Sequence, residues 1–299
     1  MPAPRGITRA AALVGAMVLG AMPALAQAPD SEIFLIPITS SDSGPALGLP
    51  RNITNRPGYD NQPAFTPDGQ SILYTSAGED GQTDIFRYEL ASGIVTRLTS
   101  TAPESEYSAS MIPGQRAISV VRVERDSTQR LWRFPLRGGA PSVILPDVQP
   151  VGYYAWADSA TLFLFVLGDP PTLQRANVRE ASVYTVDDSI GRSIQAMPDG
   201  GVSIVLKRSP DEWWIARVDP ATDSIAPLVR TRSGQEDYAW MPDGSLLQAE
   251  NATVYRWVKG GEWTPVATFS EPGLARLTRL AVSSDGRWLA AVGSAAVGR

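Results

Sequence analysis

The 299-residue sequence contains no cysteine and no histidine. Without cysteine there is no disulfide framework, no thiolate nucleophile and no residue to carry a lipid anchor at an export cleavage point. Without histidine, Ser-His-Asp and Cys-His arrangements are impossible, and no imidazole can ligate zinc or a redox metal. A G-x-S-x-G nucleophile turn is also missing. Lysine is scarce: of 26 basic residues, only Lys207 and Lys259 are lysines. Beyond residue 26, no stretch shows a sustained apolar stripe of helical period. None there is long and apolar enough to span a bilayer, which takes ~20 residues.

What is present begins with an export signature. Arg5 and Arg9 form a positive n-region, residues 10–22 are apolar, and Ala24-Leu25-Ala26 fits the small-x-small cleavage rule. This pattern predicts a Sec-type signal peptide over residues 1–26, cleaved after Ala26, and a periplasmic or secreted product. Residues 27–299 then form a single domain with 24 basic and 31 acidic side chains, a net charge of −7. Such a surface is unsuited to a phosphate backbone, so nucleic acid is excluded as a partner, and the mature chain is expected to be monomeric without a membrane span.

The rest of the chain repeats. A short apolar strand and a turn recur at Pro67, Pro113, Asp158, Pro198, Pro242 and Ser284, with spacings of 46, 45, 40, 44 and 42 residues. Second strands are expected over 71–75, 117–123, 161–167, 202–207, 245–249 and 287–292, and the first five are each followed by third and fourth strands with period-2 alternation. Asp68, Asp199, Asp243 and Asp285 precede glycine in the turns, where a short acceptor bonds its own backbone, so their duty reads as structural. The sixth copy stops after two strands, while two unassigned strands, 32–38 and 47–54, open the chain. Joining them yields an all-β, six-bladed β-propeller of four-stranded antiparallel blades, the last closed by the N-terminal strands.

Phe65-Thr66-Pro67-Asp68-Gly69 followed by Asp84-Ile85-Phe86 resembles the WD40-like repeat of the TolB-type propeller family. Trp240-Met241-Pro242-Asp243-Gly244 and Ser283-Ser284-Asp285-Gly286 are similar, while the copies at Pro113-Gly114 and Asp158-Ser159 have drifted. The resemblance covers essentially the whole mature chain and concerns the propeller part only, because TolB proteins carry an additional N-terminal domain. It implies a periplasmic, non-catalytic scaffold that binds an envelope protein or peptide.

Candidate binding residues cluster just upstream of the first strands, where a propeller places one mouth of its central channel: Asp60, Glu104, Glu106, Tyr107, Tyr153, Tyr154, Glu236, Asp237 and Tyr238. Tyrosines there pair apolar area with a polar tip suited to a partner. The carboxylates could instead converge on Ca²⁺ through oxygen ligands. That alternative would make the chain a metal-dependent hydrolase or lyase. Exposed aromatics, including one ring of Trp213-Trp214, leave a glycan- or small-molecule-binding propeller as a third reading. Phe65, Trp156 and Trp240 occupy matching first-strand positions and are expected to pack between blades.

Overall fold

The computed structural model describes residues 30–41, 44–232 and 234–294. The expected signal peptide and its cleavage point after Ala26 lie outside the described residues. These residues form 25 β-strands arranged as six antiparallel sheets, with no helix long and apolar enough to cross a membrane.

Blade I shows why the repeat folds as it does. Its strands are Asp60–Phe65, Ser71–Ala77, Thr83–Glu89 and Val95–Arg97, hydrogen-bonded in chain order. Between the first two, the Thr66 hydroxyl donates to Asp68 Oδ1 at 2.6 Å, the Gln70 N–H donates to the same oxygen at 3.0 Å, and Gly69 takes φ +67°. A residue with a Cβ is strained at that angle, which fixes glycine after the aspartate. Blades II to V repeat the plan from Ser105–Met111, Val151–Trp156, Ile190–Ala196 and Tyr238–Trp240 onward.

Blade VI combines both ends of the chain. Arg276–Val282 pairs with Trp288–Ser294, which pairs in turn with the N-terminal strand Glu32–Ser41, in register from Glu32 opposite Gly293 to Pro37 opposite Trp288. The expected fourth strand over 47–54 is replaced by two pieces, Gly44–Leu47 and Arg51–Asn52, each paired with a different part of Glu32–Ser41. Pro50 lies in the gap and has no N–H to continue the ladder.

Alternate side chains of each blade face its two neighbours, and the core is six apolar layers, one per blade interface. Phe65, Trp156 and Trp240 each join one of these layers. Trp213 packs toward blade V and Trp214 toward blade III, and each is covered by a cation, Lys207 and Arg230 respectively. Neither ring is exposed, because both faces of a blade are covered in a ring.

Candidate functional site at one end of the central channel

The six first strands enclose a channel with a cavity of about 450 Å³. Most of these strands are interrupted near one end by a bulge, with register breaks at Asn61/Ala64, Tyr107/Ser110, Val151/Tyr153, Ile190/Ile194 and Thr278/Ala281. Bulges re-aim side chains, and Gln62, Ser108 and Arg279 adopt φ of 55°, 54° and 51° within them. The channel wall is thereby polar at this end, whereas Ala64, Ala155, Ala239 and Ala281 line it further along.

The polar end is organised by Asp237. Arg192 grips its carboxylate with two bonds of 2.9 Å, Nη1 to Oδ1 and Nη2 to Oδ2. Arg279 Nη1 stands 3.6 Å from Oδ1, and its Nη2 donates to the Tyr153 hydroxyl at 2.8 Å. Burial alone would raise the pKa of Asp237, but Arg279 and Arg192 outweigh it and hold the carboxyl below its ordinary value. Tyr59 lies within the electrostatic reach of Arg279, Tyr153, Tyr107 and Arg192, and burial pushes its phenol up to about 12.

Glu236 flanks the cluster, accepting from the Arg192 backbone N–H at 2.6 Å and from Lys207 Nζ at 2.5 Å. Lys207 also covers the Trp213 ring. Gly191 makes this approach possible, since a Cβ there would stand 2.6 Å from Glu236 Oε2.

Of the residues singled out from sequence, Tyr107, Tyr153, Glu236 and Asp237 are brought together at this end. The others go elsewhere. Asp60 is fully buried beside Arg56, which reaches its carboxylate at 3.0 Å, and Ser76. Glu106, also fully buried, receives a 2.5 Å bond from Thr101 and lies 3.4 Å from Arg122, which stands 3.5 Å from Glu104. Burial raises the pKa of Asp60, and it lifts that of Glu106 to about 7.

Tyr154 and Tyr238 are buried within the wall rather than placed at a mouth. The Tyr154 hydroxyl donates to the Ser119 carbonyl at 2.6 Å, and Trp156 Nε1 reaches Ser119 Oγ at 2.9 Å. Two blades on, the Tyr238 hydroxyl and Trp240 Nε1 both meet Ser203 Oγ at 2.8 Å. These pairs tie each blade to the one before it. The sequence reading missed Tyr59, Arg192, Lys207 and Arg279. Arg279 and Asp237 both sit five residues before their turn anchors, so the repeat alignment itself carries the signal for that pairing.

The carboxylates expected to converge on Ca²⁺ are dispersed, and each faces a cationic side chain. Among the described residues, no group of three or more metal-ligating acids occurs.

No protein-family model matches the chain. Two TolB structures share the fold. The one from Acinetobacter baumannii has a TM-score of 0.59 and 15% identity, matching 88% of this chain and 64% of its own. A structure assigned to TolB from Agrobacterium tumefaciens has a TM-score of 0.65 and 17% identity, matching 90% of this chain and 100% of its own. Among curated sequences, dipeptidyl-peptidase 5 of Porphyromonas gingivalis is 30% identical over 115 residues, 37% of this chain. The chain thus spans only 16% of that peptidase, and somewhat under two thirds of the Acinetobacter protein. The architecture is that of a TolB-like six-bladed propeller.

Proposed function

We propose that this chain is an exported, non-catalytic propeller that holds a protein or peptide of the bacterial envelope at the polar end of its channel. The observation that carries the reading is the state of Asp237, the one carboxylate lining the channel among the described residues. It is bound on both oxygens by Arg192 and kept ionised by two guanidiniums. A general base or acid needs a pKa near the working pH and a free position toward substrate, and Asp237 has neither. Glu106 titrates near neutrality but is sealed between blades I and II, out of reach of the channel. What the channel end offers instead is a fixed arrangement of tyrosine and arginine, the residue types that dominate binding energy at protein interfaces. The export signature and the TolB-like fold support an envelope setting.

The test is affinity capture from envelope extracts with the mature protein and with Ala64→Trp, which fills the channel where its wall is small. Wild type should enrich a defined partner that the filled variant, shown to be folded by its melting curve, retains at least roughly tenfold less. Equal recovery by both proteins, or no enrichment by wild type, would overturn the reading.

A further inference from the structure

We infer that the polar end of the channel is a carboxylate-binding site, built to take an acidic side chain or the free C-terminus of a peptide. The inference rests on the peptide-binding reading above and specifies its chemistry.

The first argument is an imbalance of donors and acceptors. A guanidinium carries five N–H donors and no acceptor. Among the described side-chain bonds, Arg192 places two donors on Asp237, and Arg279 places one on Tyr153. Asp237 is the single anion shared by these two cations, and Lys207 is matched by Glu236. The end therefore carries one positive charge in excess, although the whole chain has a net charge of −5.

The second argument is depth. The Arg192 and Arg279 side chains are 31% and 21% exposed, whereas Asp237 is 11% exposed. The carboxylate orients the guanidiniums and is the least exposed of the three, so a ligand in the channel has more guanidinium than carboxylate surface to meet. A planar guanidinium already held by one carboxylate keeps its remaining edge in a fixed direction, which favours a second carboxylate over a spherical ion.

The third argument is the company these cations keep. Tyr59, with its phenol proton firmly held, is a neutral donor at physiological pH, and it shares this environment with Tyr107 and Tyr153. Phenols and guanidiniums together present donors, while Gln62 Oε1 is already engaged by the Ser108 N–H at 2.9 Å and the Thr75 hydroxyl at 3.0 Å. The approach through small residues such as Ala64, Ala155 and Ala281 leaves a cavity of about 450 Å³, within the range of ligand sites and wide enough for a few residues of extended chain.

The experiment is calorimetric titration of the mature protein with three short peptides of one apolar-polar framework. The first carries a C-terminal amide and two internal glutamates, the second a free C-terminus and no acid, and the third an amide and no acid. Binding of either acidic form, at least roughly tenfold tighter than the neutral amide and weakened by added salt, is expected. Preference between the first two identifies the source of the carboxylate. Arg279→Gln should abolish that advantage and Arg279→Lys should restore part of it, with melting curves confirming that both variants are folded. Equal affinity for all three peptides, no binding of any peptide at millimolar concentration, or an advantage that survives Arg279→Gln would overturn the inference. The two proposals fail separately. An envelope partner captured through the channel equally by wild type and Arg279→Gln keeps the scaffold reading and removes the carboxylate site. Selective binding of acidic peptides without any captured partner does the reverse.

Discussion

Glu106 and Asp60 stand in the same repeat position, seven residues before their turn anchors, where blades III and VI place Val151 and Leu277. All four side chains are buried, so two blades put a carboxyl into a slot that others fill with an apolar group. Burial is the largest influence on Glu106, partly offset by the hydrogen bond from Thr101 and by Arg122, and it raises the folded-state pKa from 4.5 to about 7. A raised carboxyl pKa means the folded state binds the extra proton, so stability falls as pH rises from about 4.5 to 7 and levels off above. The shift corresponds to roughly 3 kcal/mol across that window. Glu106→Gln should therefore melt higher than wild type at pH 8 and similarly at pH 4.5; a variant that loses stability at both pH values would contradict this account. Tyr238→Phe tests the interblade ties at the same scale. It removes a hydroxyl from Ser203 while leaving that oxygen its bond from Trp240, so a loss of about 1 kcal/mol in denaturant unfolding is expected. Tyrosine identity was legible in the chain, but its direction was not. Along a channel strand, alternate residues face the lumen or the neighbouring blade, and the bulge that resets the alternation leaves no mark in composition.

At the scale of elements, blades I and VI close their third and fourth strands with one device. In blade I the Ile85 N–H donates to Thr99 Oγ1 at 2.8 Å, and the Thr99 hydroxyl donates to Asp84 at 3.0 Å, while Arg97 pairs with Asp84. In blade VI the Ile33 N–H donates to Thr54 Oγ1 at 3.0 Å, and Thr54 donates to Glu32 at 2.5 Å. Each threonine satisfies a backbone donor and an acid at once, so replacing it orphans both. Thr99→Ala and Thr54→Ala should each cost on the order of 1–3 kcal/mol, and the double variant should show nearly the sum, since among the described residues no bond or ion pair links the two sites. A double variant markedly less harmed than that sum would mean the two devices are coupled. In sequence, Thr54 follows Arg51 at the end of the leftover stretch much as Thr99 follows Arg97 at the end of blade I, so this correspondence is readable from the chain. The strand break between Leu47 and Arg51 was less so, because the proline that causes it lies in a stretch whose flanks still carry strand-like residues.

For the whole molecule, the number of blades and the manner of closure could be read from six turn anchors and two leftover strands, since a count of strands is a property of the sequence alone. Which side chains meet across the channel could not, because Arg192, Asp237 and Arg279 are joined only by the ring's curvature and lie over 40 residues apart. Closure determines whether that meeting occurs at all. The N-terminal strand Glu32–Ser41 covers Trp288–Ser294, and Ser31 continues the seal into blade I, where its N–H donates to the Gly58 carbonyl and its own carbonyl accepts from the Asp60 N–H, both at 3.0 Å. Ile36 is fully buried in the layer between blades V and VI, whereas Leu49, in the gap of the broken fourth strand, is 83% exposed. Ile36→Ala should lower unfolding free energy by about 2–5 kcal/mol, as for any interior position, while Leu49→Asp should stay within about 0.5 kcal/mol. Removing residues 27–54 would leave Trp288–Ser294 as an open strand edge and strip Ile33 and Leu35 from the layer that blade VI shares with blade I. Such a chain should associate in proportion to its concentration in light scattering and lose its single cooperative melting transition. A truncated chain that remains monomeric and melts in one step near the wild-type temperature would show that the ring does not depend on its N-terminal strand.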